Sequence, residues 1–558
     1  MSTKTIKNGT EWTVREGYEG IPDSFDPDDL LSDLNGKNYA LVKENRVRSV
    51  ISIPGSAINE NGIHIKYFKR GGYKEYIKHL FVPTKARTEW DVGNALLSKD
   101  IKTALPLAIS EGKIRLLMVT ETVTNSEELM EFCLSNYEGS LSVGKDSEKK
   151  TLLDKLAQFI RDIHEKGFCH YDLHAGNILI RFKNEQNVSD YDLYLMDLHR
   201  VKIFKSISIK KRMFNLAQIF NSLSSIMTMA DKLDFIRSYG SNAFGNTADE
   251  NELVRQIEEQ SSGIRNTHYR SRLKRCLKES SVFSKKRFAG MKMFFRKGYD
   301  TNSMQKLIEM HNSALAGNDS AVIMKRDSRT ALTHHTFKDK TSLNVVVKQY
   351  RVGCPGCIVK NIIRGSAGRK AWVAGNGLKV YGFNTPLPLA LIEKKISGVT
   401  TGSYLIMEEV KDSLEMDRYI LKNLNSRIDL KKKRVFINNL ANTLGKMHKH
   451  NIFHHDLKTC NIMVKENGKS FDFTFLDFDK VSFREEITVR KRVKNLTQIN
   501  LSTPRLFTLT DRLRFLKEYL GQCDITNEKK NILREVITLS KREKILYVSF
   551  QGDVTEDW

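Results

Sequence analysis

The chain has 558 residues with 91 Lys plus Arg against 66 Asp plus Glu, a formal charge of +25. That length exceeds what one hydrophobic core organises, since cores stop growing at roughly 250–300 residues, and 40% hydrophobic with 28% charged residues excludes a mainly disordered or fibrous chain. No apolar run nears the roughly 18–20 residues of a membrane-spanning helix, no secretory signal opens the sequence, and the seven cysteines are too scattered for a disulfide framework, so a cytosolic protein is expected.

Residues 1–36, acidic at DSFDPDDLLSDL, read as an N-terminal extension. Short β-type runs follow, ALVKENRVRSVISI and then IHIKYF, where Ile63, Ile65 and Tyr67 alternate with His64 and Lys66. TKARTEWDVGNALL has helical spacing and carries Glu89. IRLLMVTE reads as a strand, and the segment Met118 to Thr122, with Glu121 in it, as the connection between two lobes, whose backbone can meet an adenine ring. LLDKLAQFIRDIHEKG is an amphipathic helix ended at Gly167. A loop, HYDLHAGN, comes next, and Asp197 closes an apolar run in YLMDLHRV. Sheet first and helices afterwards imply a small β-rich lobe, a larger helical lobe and a ligand cleft between them.

Asp172 and Asn177, five residues apart, with Asp197 downstream and a strand lysine far upstream, are what phosphoryl transfer requires. One carboxylate orients the attacking hydroxyl and accepts its proton, an Asn and a second Asp hold magnesium, and Lys66, steadied by Glu89, reaches the phosphates of ATP. His170 is expected to brace the loop.

The pattern then returns. CHYDLHAGNILI at 169–180 recurs as FHHDLKTCNIMV at 453–464, KKRMFNLAQI as RKRVKNLTQI, ADKLDFIRSY as TDRLRFLKEY, and IHIKYFKR around Lys66 as VVVKQYRV around Lys348, at offsets of 280 to 284 residues. The second set is Lys348, Glu408, Asp456, Asn461 and Asp477, with His454 in the bracing role. This gives an α+β chain with a first domain at 37–280, a basic connector at 281–318 and a second domain at 319–558.

HYDLHAGNILI with the following MDLHRV, the KARTEW helix and, in the second domain, SAGRKAW, TPLPLAL and FLDFDKV resemble the lipopolysaccharide kinase family, the bacterial inner-core heptose and Kdo kinases of the protein-kinase-like superfamily. The resemblance implies two tandem bilobal kinase-like domains using ATP and Mg2+ on a sugar hydroxyl of lipopolysaccharide core, at the cytosolic face of the inner membrane. By it Lys66 and Lys348 contact phosphate, Asp172 and Asp456 are the catalytic carboxylates, and Asn177, Asp197, Asn461 and Asp477 are metal ligands.

Three departures qualify the match. Neither domain has a G-x-G-x-x-G loop. Ala371 falls opposite Glu89, so the second domain lacks the acid that positions its lysine and is expected to be slower, or to bind nucleotide without efficient transfer. Lys458 stands two residues after Asp456 where the first domain has His174, a protein-kinase feature, so a protein Ser, Thr or Tyr is the alternative acceptor. The positive field suits a polyanion. No helix-turn-helix, zinc-finger or RNP signature specifies nucleic acid, and Cys354 and Cys357 have no second ligand pair nearby. Lys285, Lys286, Arg287, Lys292, Arg296 and Lys297, interleaved with Phe and Met, are candidates for contact with an anionic membrane.

Overall fold

The computed structural model describes residues 2–558 apart from 8–9, 25–38, 45–47, 56–58, 70–78, 80–81, 112–115, 138–143, 185–186, 246–248, 289, 319–321, 339–341, 353–364, 397–398, 425–429, 484–485, 524, 544–546, 549–553 and 556–558. Cys354 and Cys357 lie outside the described residues. The chain divides into two units, Met1–Arg265 and Asn266–Trp558.

The first unit opens with a sheet of β1 (Ser2–Lys7), β2 (Thr10–Arg15), β3 (Ala40–Glu44), β4 (Arg48–Ile53), β5 (Ile63–Phe68), β6 (Pro106–Glu111) and β7 (Leu116–Glu121), in the order β1-β2-β6-β7-β5-β4-β3. Every pairing is antiparallel. The alternation read around Lys66 is the pleat of β5: Ile63 and Ile65 are buried with Trp12, Val14, Ile51 and Leu117 beneath the sheet. Short strands β8 (Ser126–Glu128), β9 (Phe168–His170), β10 (Ile178–Asn184), β11 (Asn187–Leu195) and β12 (Val201–Ile203) lie among the helices of the larger lobe. Its core gathers Leu156, Ile160, Leu216, Phe220 and Phe235 from helices Lys145–Glu165, Ile209–Ser222 and Met229–Tyr239.

The second unit repeats this plan with β13 (Phe283–Phe288), β14 (Met291–Arg296), β15 (Val322–Arg326), β16 (Thr330–Lys338), β17 (Ser342–Arg351), β18 (Pro388–Ile396) and β19 (Val399–Glu408), in the order β13-β14-β18-β19-β17-β16-β15. The expected boundaries change accordingly. The segment 281–318 is no connector, because β13 and β14 are the edge hairpin of the second sheet, with Met293 and Phe294 buried and β14 paired to β18. Within the segment 1–36, β1 and β2 likewise belong to the first sheet, where they are the same edge hairpin and β2 pairs with β6. Arg15 donates through Nε to Pro106 O at 2.7 Å and also bonds Asn94; Arg296 does the same to Pro388 O at 3.0 Å and to Asn376 at 2.7 Å.

Each sheet carries one helix on its inner face, Lys85–Leu97 and Ala367–Val380. Thr84 and Ser366 cap them through hydroxyls that accept from Arg87 N and Arg369 N. The same arginines pair with Glu111 and Glu393 on the neighbouring strands. Gly93 and Gly375 let these helices come close: a Cβ on Gly93 would stand 2.8 Å from Pro106 Cγ, and one on Gly375 2.7 Å from Pro388 Cγ. That approach sets how near Glu89 comes to the strand lysine.

Candidate active site

In the first unit the strand, the helix and two loops bring the expected side chains to one place. Lys66 on β5 donates to Glu89 Oε2 at 2.6 Å, and Glu89 is 2% exposed. Lys66, Glu89, Met118, Thr120, Met196 and Asp197 line a single small cavity between sheet and helical lobe. Asp197 has a left-handed backbone, φ 58°, at the turn after β11, and this turns its carboxylate into the cleft. His199 Nδ1 lies 3.2 Å from both Asp197 Oδ1 and Glu89 Oε1. Arg48, on β4, donates to Asp197 through both terminal guanidinium nitrogens, Nη1 to Oδ1 and Nη2 to Oδ2 at 3.2 Å.

The electrostatics follow from this packing. Burial works to raise the Asp197 carboxyl, but the hydrogen bonds from His199 and Arg48 and the Lys66 charge hold it far below the usual carboxylate range. Burial also works against charge on Glu89, where Lys66 and His199 prevail and lower it. His199, half-buried and for that reason disfavoured as a cation, is nonetheless raised above the ordinary imidazole value by its two carboxylate neighbours.

The Asp172 loop is fixed from beneath. Asp172 N donates to His170 Nδ1 at 3.0 Å and His170 Nε2 donates to Met196 O at 3.0 Å, so the imidazole is neutral and spends both nitrogens as a brace. Burial lowers its proton affinity, in keeping with that role. Asn177 Nδ2 donates to Asp172 O at 2.8 Å, and Met196 N donates to Asn177 O at 2.9 Å, which ties the Asp172 loop to the turn carrying Asp197. With its amide nitrogen committed, Asn177 presents an oxygen. Together with the anionic Asp197 this is an oxygen donor set suited to a hard divalent cation such as Mg2+.

Sequence reading missed the layer below. Asn215 Nδ2 donates to His170 O at 2.6 Å while its Oδ1 accepts from His164 Nε2 at 2.9 Å; Gln218 accepts from Leu173 N and donates to Tyr171 O; Ser222 accepts from Ala175 N. Asn495, His448, Gln498 and Ser502 make the same bonds in the second unit. The signal was present in the recurrence of NLAQI as NLTQI. Arg48 was also missed, although its strand was recognised.

The second unit repeats the loop: Asp456 N to His454 Nδ1 at 3.2 Å, His454 to Leu476 O at 3.0 Å, Asn461 Nδ2 to Asp456 O at 2.8 Å, and Asp477 at φ 50°. Lys458 Nζ lies 3.5 Å from Asp456 Oδ1. Ala371 does occupy the place of Glu89, fully buried. Yet Lys348 does not lack an acid, for its Nζ lies 2.5 Å from Asp477 Oδ1 and 3.0 Å from Asp479 Oδ1.

Glu121 and Glu408 end β7 and β19. Their amides donate to Leu105 O and Leu387 O, Thr122 N donates to Gly62 O, and the carboxylates accept from Asn59 and Asn61 in one unit and Tyr299 in the other. A base meeting these segments has to be met by groups other than those amides.

Among the described residues no helix is long and apolar enough to cross a membrane. The profile of the lipopolysaccharide kinase (Kdo/WaaP) family matches residues 38–239 and again 320–519. Lipopolysaccharide core heptose(I) kinase WaaP of Pseudomonas aeruginosa is 23% identical over 236 residues, 40% of this chain and 85% of that protein. The Escherichia coli K12 protein of that description is 24% identical over 182 residues, 31% of this chain and 69% of its own. Among solved structures, WaaP in complex with acyl carrier protein covers 45% of this chain and 98% of its own at 21% identity and a TM-score of 0.35. An aminoglycoside-3'-phosphotransferase of type VIII covers 42% and 98% at 14% identity and a TM-score of 0.28. The family profile takes in most of the chain in two tandem matches, and the chain therefore belongs to the lipopolysaccharide kinase (Kdo/WaaP) family.

Proposed function

We propose that the chain transfers a phosphoryl group from ATP, with Mg2+, to a sugar hydroxyl of lipopolysaccharide inner core. The observation that carries this is the convergence in the first unit of the Lys66–Glu89 pair with Asp197 and the braced Asp172–Asn177 loop. Lys66, its ammonium oriented by Glu89, binds phosphate oxygens. Asp172 orients the acceptor hydroxyl and takes its proton as the bond to phosphorus forms. Asn177 and Asp197 hold Mg2+, which neutralises charge on the phosphates. Arg48 supplies the positive cover that a glycine-rich loop gives elsewhere. The relatives named as heptose kinases support a core sugar as acceptor, and the +25 charge supports approach to that polyanion and to an anionic membrane face.

The contact between Lys458 and Asp456 favours a second reading, in which the second unit phosphorylates a protein hydroxyl. Labelled ATP offered with core oligosaccharide, whole lipopolysaccharide and a generic protein separates the two. Removing a positioned base costs on the order of a hundredfold to ten-thousandfold, so Asp172→Asn combined with Asp456→Asn should abolish transfer. Undiminished transfer from that variant overturns the assignment.

A further inference from the structure

The two units differ around their lysines at four positions that face one another, and the differences match in charge. Glu89 on the helix becomes Ala371, His199 on the turn becomes Asp479, Phe68 on β5 becomes Tyr350, and Arg48 on β4 becomes Thr330, which stands opposite Tyr350 across the ladder as Arg48 stands opposite Phe68. In the first unit the acid comes from the helix, and a base on the turn joins it to Asp197. In the second the helix offers only a buried methyl, and the turn supplies the acid, 3.0 Å from Lys348 Nζ.

The turn has the same shape in both, with Asp197 at φ 58° and Asp477 at φ 50°. The side chain two residues later is therefore delivered to the same spot, the one from which His199 reaches Glu89. A carboxylate there falls within reach of the lysine. The Tyr350 hydroxyl, absent from Phe68, is buried beside Asp479. With Arg48 replaced by Thr330, Lys348 serves both Asp477 and Asp479.

The geometry points to Asp479 as the positioning residue for Lys348, and so to a second phosphotransfer centre whose lysine anchor comes from the turn after the metal-holding aspartate instead of from the helix. This rests on the kinase function proposed above. In kinases whose anchor is a helix acid, helix position governs activity; a turn-borne anchor frees the second centre from that control.

The test uses the full chain with the first centre disabled by Lys66→Met. Losing a charge-assisted hydrogen bond should weaken Mg·ATP binding, read by calorimetry, by about tenfold, and slow transfer at least as much. Asp479→Asn should show this loss with an unchanged melting temperature. The double variant Ala371→Glu with Asp479→His, which installs the first unit's pair, should recover most of it, and Asp479→His alone should not. ATP binding indifferent to Asp479→Asn, or a loss that the double variant fails to recover, overturns the role of Asp479. No transfer from Lys66→Met chains while the wild type is active overturns the second centre and leaves the proposed function standing. No transfer from the wild type on any acceptor refutes that function, and the binding measurement still decides the role of Asp479.

Discussion

Replacing Asn215 with Leu should unfasten the Asp172 loop and destabilise the first unit alone. Asn215 is fully buried and nearly isosteric with Leu, so the change leaves little cavity and acts mainly through hydrogen bonds. Its amide donates to His170 O at 2.6 Å and its oxygen accepts from His164 Nε2 at 2.9 Å. Gln218 keeps a partner, since Leu173 N still donates to it. The substitution therefore strands one buried carbonyl and one buried imidazole N–H, and also takes the partner of the Cys169 thiol, a much weaker donor. Each orphaned group costs about 1–3 kcal/mol, so the loss should be about 2–6 kcal/mol, a large part of the about 5–15 kcal/mol that holds a domain together. Hydrogen exchange by mass spectrometry on the intact chain reads this locally. Segments 145–240 should lose protection by that amount while 430–520 stay as in the wild type, and Asn495→Leu should give the mirror image. Transfer by the first unit should fall with the loop. A change below about 0.5 kcal/mol, within the range of ordinary surface substitutions, or an equal loss in both units, would refute the bracing role.

Three further expectations follow from the packing and charge. Gly375→Ala gains about 1 kcal/mol of helix propensity, but its Cβ would meet Pro388 Cγ at 2.7 Å and Phe478 Cε2 at 2.9 Å; overpacking of about 1–3 kcal/mol should win, and a raised melting temperature would contradict this. Burial lowers both His164 and His448 from 6.5 to about 4. The folded state refuses protons that the unfolded chain takes up, so stability should fall as pH drops from 6.5 towards 4, by about 3 kcal/mol for each histidine. A flat profile of unfolding free energy over that window would show the sign to be wrong. Of the six basic candidates for membrane contact, Lys285, Lys286, Arg287 and Lys297 are exposed, whereas Arg296 is engaged with Pro388 and Asn376. Replacing those four with Ala should weaken binding to anionic vesicles at low salt by about 1 kcal/mol each near the surface, while Arg296→Ala should lower the melting temperature; binding indifferent to salt and to the four substitutions excludes the surface contact.

Much of the site was legible because its determinants are local and repeated. HYDLHAGN and HHDLKTCN carry acid, amide and bracing histidine within eight residues, and Lys66 declared itself by β alternation. Glu89 was legible because a helix of known start puts it one turn in, facing the sheet. The first hairpin of each unit was misjudged for the converse reason. An edge strand needs only one covered face and a pairing partner, so β1–β2 and β13–β14 share Arg15 and Arg296 with little else in common, and nothing in 1–36 or 281–318 announces that β6 and β18 wait about a hundred residues downstream.

What the sequence by itself determined is the duplication, the sheet-then-helix order of each unit and the identity of the loop acids. What only the tertiary structure decided is which charges neutralise each other. Aligned by position, Ala371 meant a missing acid; in space, Asp479 lies 3.0 Å from Lys348 Nζ across a separation of 131 residues, and Arg48 meets Asp197 across 149. A charge buried in a cleft must find a counter-charge within a few ångströms, but the chain can deliver it from a helix or a turn; the turn has one shape in both units, and the choice is fixed by which place carries the carboxylate, Glu89 on the helix or Asp479 on the turn.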